Sequence, residues 1–180
     1  MTAILLALAF IIILLAIVLV GQPNEFVVSR RTKIAAPAGQ IFPYINELRK
    51  WEAWSPWAKL DPNCQMTYDG PSAGVGASYA WIGNKVGAGR GTITQSVPDQ
   101  LVRFKLEFLK PMVATNTAEF TFQSDGEQTL VTWTMFGKNS FGGKVFGLLM
   151  NCEKMCANQF DNGLANMKSA VEANETAARV

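Results

Sequence analysis

The sequence predicts an α+β fold, an antiparallel sheet curled around a long C-terminal helix, preceded by one membrane-spanning helix. Three observations predict it. Between residues 65 and 136 the chain falls into short runs with apolar and polar side chains in alternation, the mark of strands with one buried and one wet face. From Val145 to Val171 the period changes. Val145, Leu149, Cys152, Cys156, Phe160, Leu164, Met167 and Val171 recur at three and four, one apolar stripe along a helix of about seven turns. Third, Ala3 to Val20 runs 18 residues without a polar side chain.

That first run, "AILLALAFIIILLAIVLV", is roughly 27 Å long as a helix, close to the roughly 30 Å of a bilayer's hydrocarbon. Fourteen of its 18 residues are Leu, Ile, Val or Phe, so insertion is favourable by roughly 4 to 8 kcal/mol. A cleaved signal peptide needs a basic leading segment and a small-x-small site. Only Met1 and Thr2 precede the run and no such site follows before Pro23, so a retained anchor is expected. Arg30, Arg31 and Lys33 lie just beyond the span. By the positive-inside rule they keep the following domain in the cytoplasm, on a single-pass protein of a bacterial-type inner membrane. The expected organisation is an anchor at residues 1–21, a linker at 22–25, a domain at 26–174 and a tail at 175–180.

"EFVVSRRTKI" reads as the first strand. In "APAGQIFPYINEL", Ile41, Phe42, Ile45 and Leu48 recur at helical spacing. Pro43 there suggests two short helices joined near Pro43 to Asn46. "WEAWSPW" holds three of the chain's five tryptophans. After the turn "KLDPN" come six strand-like runs: "CQMTYDG", "GASYAWIG", "RGTITQSV", "LVRFKLEFL", "NTAEFTFQ" and "QTLVTWTMF", the last two joined through "SDGE" as a hairpin. Phe104, Leu106 and Phe108 share one face of their strand, and Ala118, Phe120 and Phe122 share one face of theirs.

The bulk numbers exclude several classes. A net charge of +2 without a basic block gives no footprint for nucleic acid. No histidine is present, which removes the commonest general base and the commonest zinc ligand. Three cysteines are too few and odd for a disulfide framework and read as thiols.

The order of elements, with "WEAWSPWAKLDPN", "YDGPSAGVGASYAWIGN" and "TAEFTFQSDGEQTLVTWTMFG", resembles the polyketide cyclase/dehydrase-type branch of the START-like (SRPBCC) superfamily from about Glu25 to Ala173. The resemblance implies a helix-grip fold, with seven antiparallel strands wrapped around the C-terminal helix over an apolar cavity. It also implies binding of lipids, quinones, polyketides or other hydrophobic molecules, and it brings no fixed catalytic motif. The expected wall of such a cavity is Trp81, Phe104, Leu106, Phe108, Phe120, Trp133 and Met135, inferred from the apolar face of each strand.

The remaining motifs divide between ordinary packing and chemistry. Trp51 and Trp54 share a helical face and are expected to pack the junction of helices and sheet, with contact to a ligand at a cavity mouth as the alternative. Cys152 and Cys156 lie on the stripe a helix must bury, so they read as small apolar residues rather than copper(I) ligands. The glycines of "GNKVGAGRGT" lack the strand–turn–helix setting of a phosphate loop and suit a hairpin at a cavity entrance. Glu107, Glu119 and Asp69 fall on polar faces, and Asn174-Glu-Thr is a chance sequon in a cytoplasmic tail. The expectation is a membrane-tethered binding or carrier domain, with no catalytic residue, metal or cofactor assigned. Two alternatives stay open: an accessory subunit of a larger membrane complex, and a cyclase or hydrolase using Tyr44, Tyr68, Tyr79 or a buried carboxylate.

Overall fold

The computed structural model describes residues 2–139, 143–144 and 152–178. Helix α1 (Thr2–Gly21) leads into strand β1 (Glu25–Ile34), helix α2 (Ala38–Asn46), a 3₁₀ helix (Leu48–Ala53) and helix α3 (Pro56–Leu60). Strands β2 (Gln65–Asp69), β3 (Ser78–Ile82), β4 (Ala88–Val97), β5 (Leu101–Lys110), β6 (Ala114–Asp125) and β7 (Gln128–Lys138) follow, and helix α4 (Cys152–Ala178) ends the chain. The expected start of the apolar stripe, Val145 and Leu149, lies outside the described residues. Side chains are described for only part of α1. Among the described residues no helix is long and apolar enough to cross a membrane, so the structure lends the anchor expected at residues 1–21 no support and it stays an expectation from the sequence.

The seven strands form one antiparallel sheet in the order β1-β7-β6-β5-β4-β3-β2. Each of β2 to β7 pairs with its neighbour in sequence, and β1 closes the far side on β7, from Glu25↔Lys138 to Ile34↔Thr129. Helix α4 lies along β1. Arg30 reaches Asp161, the Lys168 ammonium donates to the Lys33 carbonyl, and the Ala35 amide donates to Glu172. Its buried residues, Ala157, Phe160, Leu164, Met167 and Val171, keep the three-four spacing that drives an amphipathic helix onto a sheet.

The segment between β1 and β2 differs from the two helices expected. Helix α2 runs through Pro43 to Asn46, and the break falls after it, at the 3₁₀ helix. Proline in a helix interior costs about 3 kcal/mol. Ile41, Phe42 and Ile45 are all buried on this one helix, and each such burial returns about 1.5 to 3 kcal/mol. Burial wins. The end of α2 is then finished by the tryptophans: the Trp54 indole N–H donates to the Tyr44 carbonyl at 2.8 Å and the Trp51 indole N–H to the Ile45 carbonyl at 2.9 Å. These carbonyls belong to the last turn, which has no helical donor of its own. The two rings, three residues apart on a 3₁₀ turn, lie 4.9 Å from each other.

Candidate functional site

Strand register sorts the sheet's inner face into transverse rows. The outermost holds Met66, Trp81, Gly89, Phe108 and Ala114. The second crosses the whole sheet: Phe26, Gly137, Asn116, Leu106, Gly91, Tyr79 and Tyr68. The third holds Val28, Met135, Ala118, Phe104 and Ile93, and the fourth Arg30, Trp133, Phe120 and Val102.

The third and fourth rows are closed. Phe104 and Phe120 are 0% exposed and Trp133 is 4% exposed. Trp133 is stacked between Phe120, at 4.8 Å, and Phe160 of α4, at 3.9 Å and nearly parallel. Trp51 lies edge-on to Phe104 at 5.2 Å, and Trp54 edge-on to Trp133 at 5.6 Å. Rings at these separations fill the space between sheet and helix. Of the expected wall, Phe104, Phe120, Trp133 and Met135 are therefore set in packed core.

The first two rows are different. Trp81, Tyr79, Leu106, Phe108, Phe26 and Tyr68 are all only partly buried, although every one lies on the inner face. Two absent side chains make the room. A Cβ on Gly89 falls 2.4 Å from the Trp81 ring, and one on Gly91 falls 2.4 Å from the Tyr79 ring. The two rings therefore lie flat across β4, stacked at 5.7 Å, as cross-strand aromatics do over glycine. The Phe108 ring meets Trp81 edge-on at 5.7 Å. Burial, with the nearby Tyr68 second, pushes the Tyr79 hydroxyl far above its ordinary value. A phenol that keeps its proton is a hydrogen-bonding group and not a base.

The structure thus brings Trp81, Leu106 and Phe108 together at one open end and separates them from the other four. It adds Tyr79, Asn116, Phe26 and the glycines, which sequence reasoning did not place in the wall. The signal for Asn116 was available: it has the parity of Ala118 and Phe120, so a polar side chain stood on the face to be buried.

The same chain, from residue 25 to residue 172, matches the family described as polyketide cyclase/dehydrase and lipid transport. The chain belongs to that family. No curated protein sequence matches it. Among solved structures, the protein MLL2253 from Mesorhizobium loti superposes with a TM-score of 0.62 at 10% identity, covering 82% of this chain and 98% of that one. Ms6760 from Mycobacterium smegmatis does so at 0.58 and 18% identity, covering 82% and 92%. Ara h 8.0201 gives 0.58 at 9% identity, covering 83% and 99%. At such identities the likeness is one of fold, and the seven-stranded sheet with its C-terminal helix fits the helix grip.

In this polyketide cyclase/dehydrase and lipid transport domain, the carboxylates named from sequence lie in surface ion pairs. Glu119 is held by Arg103 at 3.0 Å, Glu107 by Lys105 at 2.6 Å and Asp69 by Arg90 at 3.6 Å. Tyr44 meets the Asn174 amide and Tyr68 donates to Glu52. Among the described residues no three His, Cys, Asp or Glu side chains gather as a metal site. Two shallow clefts, of about 500 and 280 Å³, lie between β1 and α4 and between α3 and α4. Neither is the space above the first two rows.

One carboxylate does shape the open end. Asp61, at the end of α3, is buried and accepts the Lys85 amide at 2.8 Å. That bond holds its carboxyl below the usual range, against the opposing effect of burial, and further amides at Val86, Asn63 and Asn84 add to it. The carboxylate thereby ties down the β3–β4 turn beside Trp81. A depressed folded value means stability present above the ordinary aspartate range, near pH 4, and lost as pH falls through the folded value. Asp61→Asn should lower the thermal midpoint at neutral pH, and the gap to wild type should close below about pH 4. A gap unchanged down to pH 3 means that the charge is not what holds the turn.

Proposed function

We propose that this protein is a membrane-tethered binding or carrier domain for a hydrophobic small molecule, lipid, quinone or polyketide-like, seated at the open end of the inner face. The observation that carries the reading is the contrast within one face: rows three and four are sealed by aromatic packing, while Trp81, Leu106 and Phe108 remain partly uncovered. A partly uncovered apolar surface inside a fold is the ordinary setting for an apolar ligand. Membership of the family supports the ligand class.

The tether rests on the 18-residue apolar run of the sequence. In α1 the large apolar side chains Ile4, Leu6, Phe10, Ile17 and Val20 are exposed. The chain enters the sheet at Glu25 and Phe26, at the same end as the open rows. Ile82, Leu109 and Val113, exposed at 66%, 59% and 79%, adjoin the outermost row. A ligand that partitions into lipid would thus meet the opening where the protein meets the bilayer, and tethering replaces tight affinity with local concentration.

Full-length protein purified in detergent, examined by native mass spectrometry and solvent extraction, should carry a stoichiometric apolar molecule. Recovery without one, together with failure to take up a fluorescent fatty acid or quinone analogue, sinks the reading. Stoichiometric recovery of a membrane complex would favour the accessory subunit. In this reading the positive-inside rule, applied to Arg30, Arg31 and Lys33, keeps the domain on the cytoplasmic side of the inner membrane. Protease added to spheroplasts should leave it intact until the membrane is breached, and ready digestion reverses the orientation.

A further inference from the structure

The second row holds an unanswered polar group. Asn116 is 9% exposed, and its Oδ1 is fully buried with no hydrogen-bond partner. Nothing else that is described bonds its amide. The side chain leans over Gly137, where an added Cβ would sit 2.2 Å from Oδ1 and 3.2 Å from the Phe26 ring. Glycine at 137 is thus what gives the amide its place. On its other side stands the partly buried Leu106. Leaving such a group without a partner costs more than the net gain from a made bond, so buried amides are satisfied almost everywhere in folded proteins. An unmet amide beside a partly open apolar wall is a position for a ligand's polar atom.

We infer that Asn116 recognises the hydroxyl group of an uncharged, hydroxyl-bearing hydrophobic molecule whose apolar body lies along Leu106, Phe108 and Trp81; the inference rests on the binding function proposed above. The chemistry narrows the head group. A carboxylate or phosphate offers only acceptors to Oδ1 and requires a cation. Two cations stand on this side of β1 and both are engaged: Arg30, two rows away, by Asp161 at 3.1 Å, and the buried Lys144 by the Gln22 carbonyl at 2.9 Å and Asn24 Oδ1 at 2.8 Å. A hydroxyl both donates and accepts, so it satisfies either end of an amide. A pure hydrocarbon leaves the amide unmet and forfeits that bond.

The test uses full-length protein in detergent and two pyrene-labelled probes of equal chain length, one a terminal alcohol and one the corresponding alkane. Binding is read by energy transfer from tryptophan. Wild type should prefer the alcohol by roughly tenfold, the scale of one buried hydrogen bond made rather than missed. Asn116→Leu should bring the ratio near one, chiefly by weakening the alcohol. Because that change replaces an unmet amide by an apolar group of similar size, its thermal midpoint should hold or rise. Gly137→Ala, which displaces the amide without removing it, should reduce the preference in the same sense. If wild type binds both probes equally, the hydrophobic site stands and recognition by Asn116 is overturned. A preference that survives Asn116→Leu in folded protein also overturns it, by placing the head group elsewhere. If neither probe binds wild type, the binding function itself fails and this inference goes with it.

Discussion

Trp133→Ala is expected to lower the stability of the full-length protein by about 3 to 5 kcal/mol, the range for deleting a large buried ring. The indole lies between Phe120 and Phe160, and Trp54 meets it edge-on, so its removal leaves three rings without their shared partner. For a chain of this size the thermal midpoint should fall by roughly 10 °C. Trp133→Phe should cost only a small part of that, because it keeps a ring in the stack and removes an indole N–H that is buried without a partner. Trp81→Ala supplies the comparison, since its ring is partly exposed at the open end. A larger loss from Trp81→Ala than from Trp133→Ala would show that the stack is not the centre of the core.

Gly87→Ala should cost about 2 to 4 kcal/mol, from two causes acting together. Gly87 has φ of +70°, and a Cβ there falls 2.2 Å from the Lys110 carbonyl oxygen and 2.9 Å from its carbon. Both are backbone atoms, so no side chain can rotate away. The β3–β4 turn would have to part from the end of β5, beside the opening over Trp81 and Phe108. Gly74→Ala separates the causes: φ is +77° with nothing within 4 Å of the added Cβ, which leaves strain alone, about 1 kcal/mol. Equal midpoints for the two variants would show that the contact with Lys110 relaxes at no cost.

Much of this architecture was legible because strand and helix have different periods. The alternation of "LVRFKLEFL" and "NTAEFTFQ" marked their inner faces, and the register bears out those faces through Phe104 and Phe120. Alternation, however, states which way a side chain points and not how far along the sheet it lies. Phe104 and Phe108 are equivalent by period, yet the first is sealed under Trp51 and the second is partly open. What separates them is where the segment from α2 to α3 folds over the sheet. That depends on Pro43 being carried inside α2 and on two indoles bonding to its last carbonyls, and no periodicity records either. The same limit hid the second row, whose members come from six strands besides β1 and share no sequence pattern. A resemblance to a family supplied the sheet's closure on β1, which local reading has no means to find.

That closure has a consequence in time. Each of β2 to β7 finds its partner in the preceding or following hairpin, so those pairings are local and quick to form. Strand β1 is made first and paired last, because Ile34 waits for Thr129 and Glu25 for Lys138. At a synthesis rate of roughly 5 to 20 residues per second, β1 stands without its partner for roughly 5 to 20 seconds. A lone strand bearing Val27, Val28 and Ile34 is a template for the wrong neighbour. Arg30, Arg31 and Lys33, spaced along that strand, set like charges against another copy of it in the interval. They guard the nascent chain before β7 exists to claim its partner.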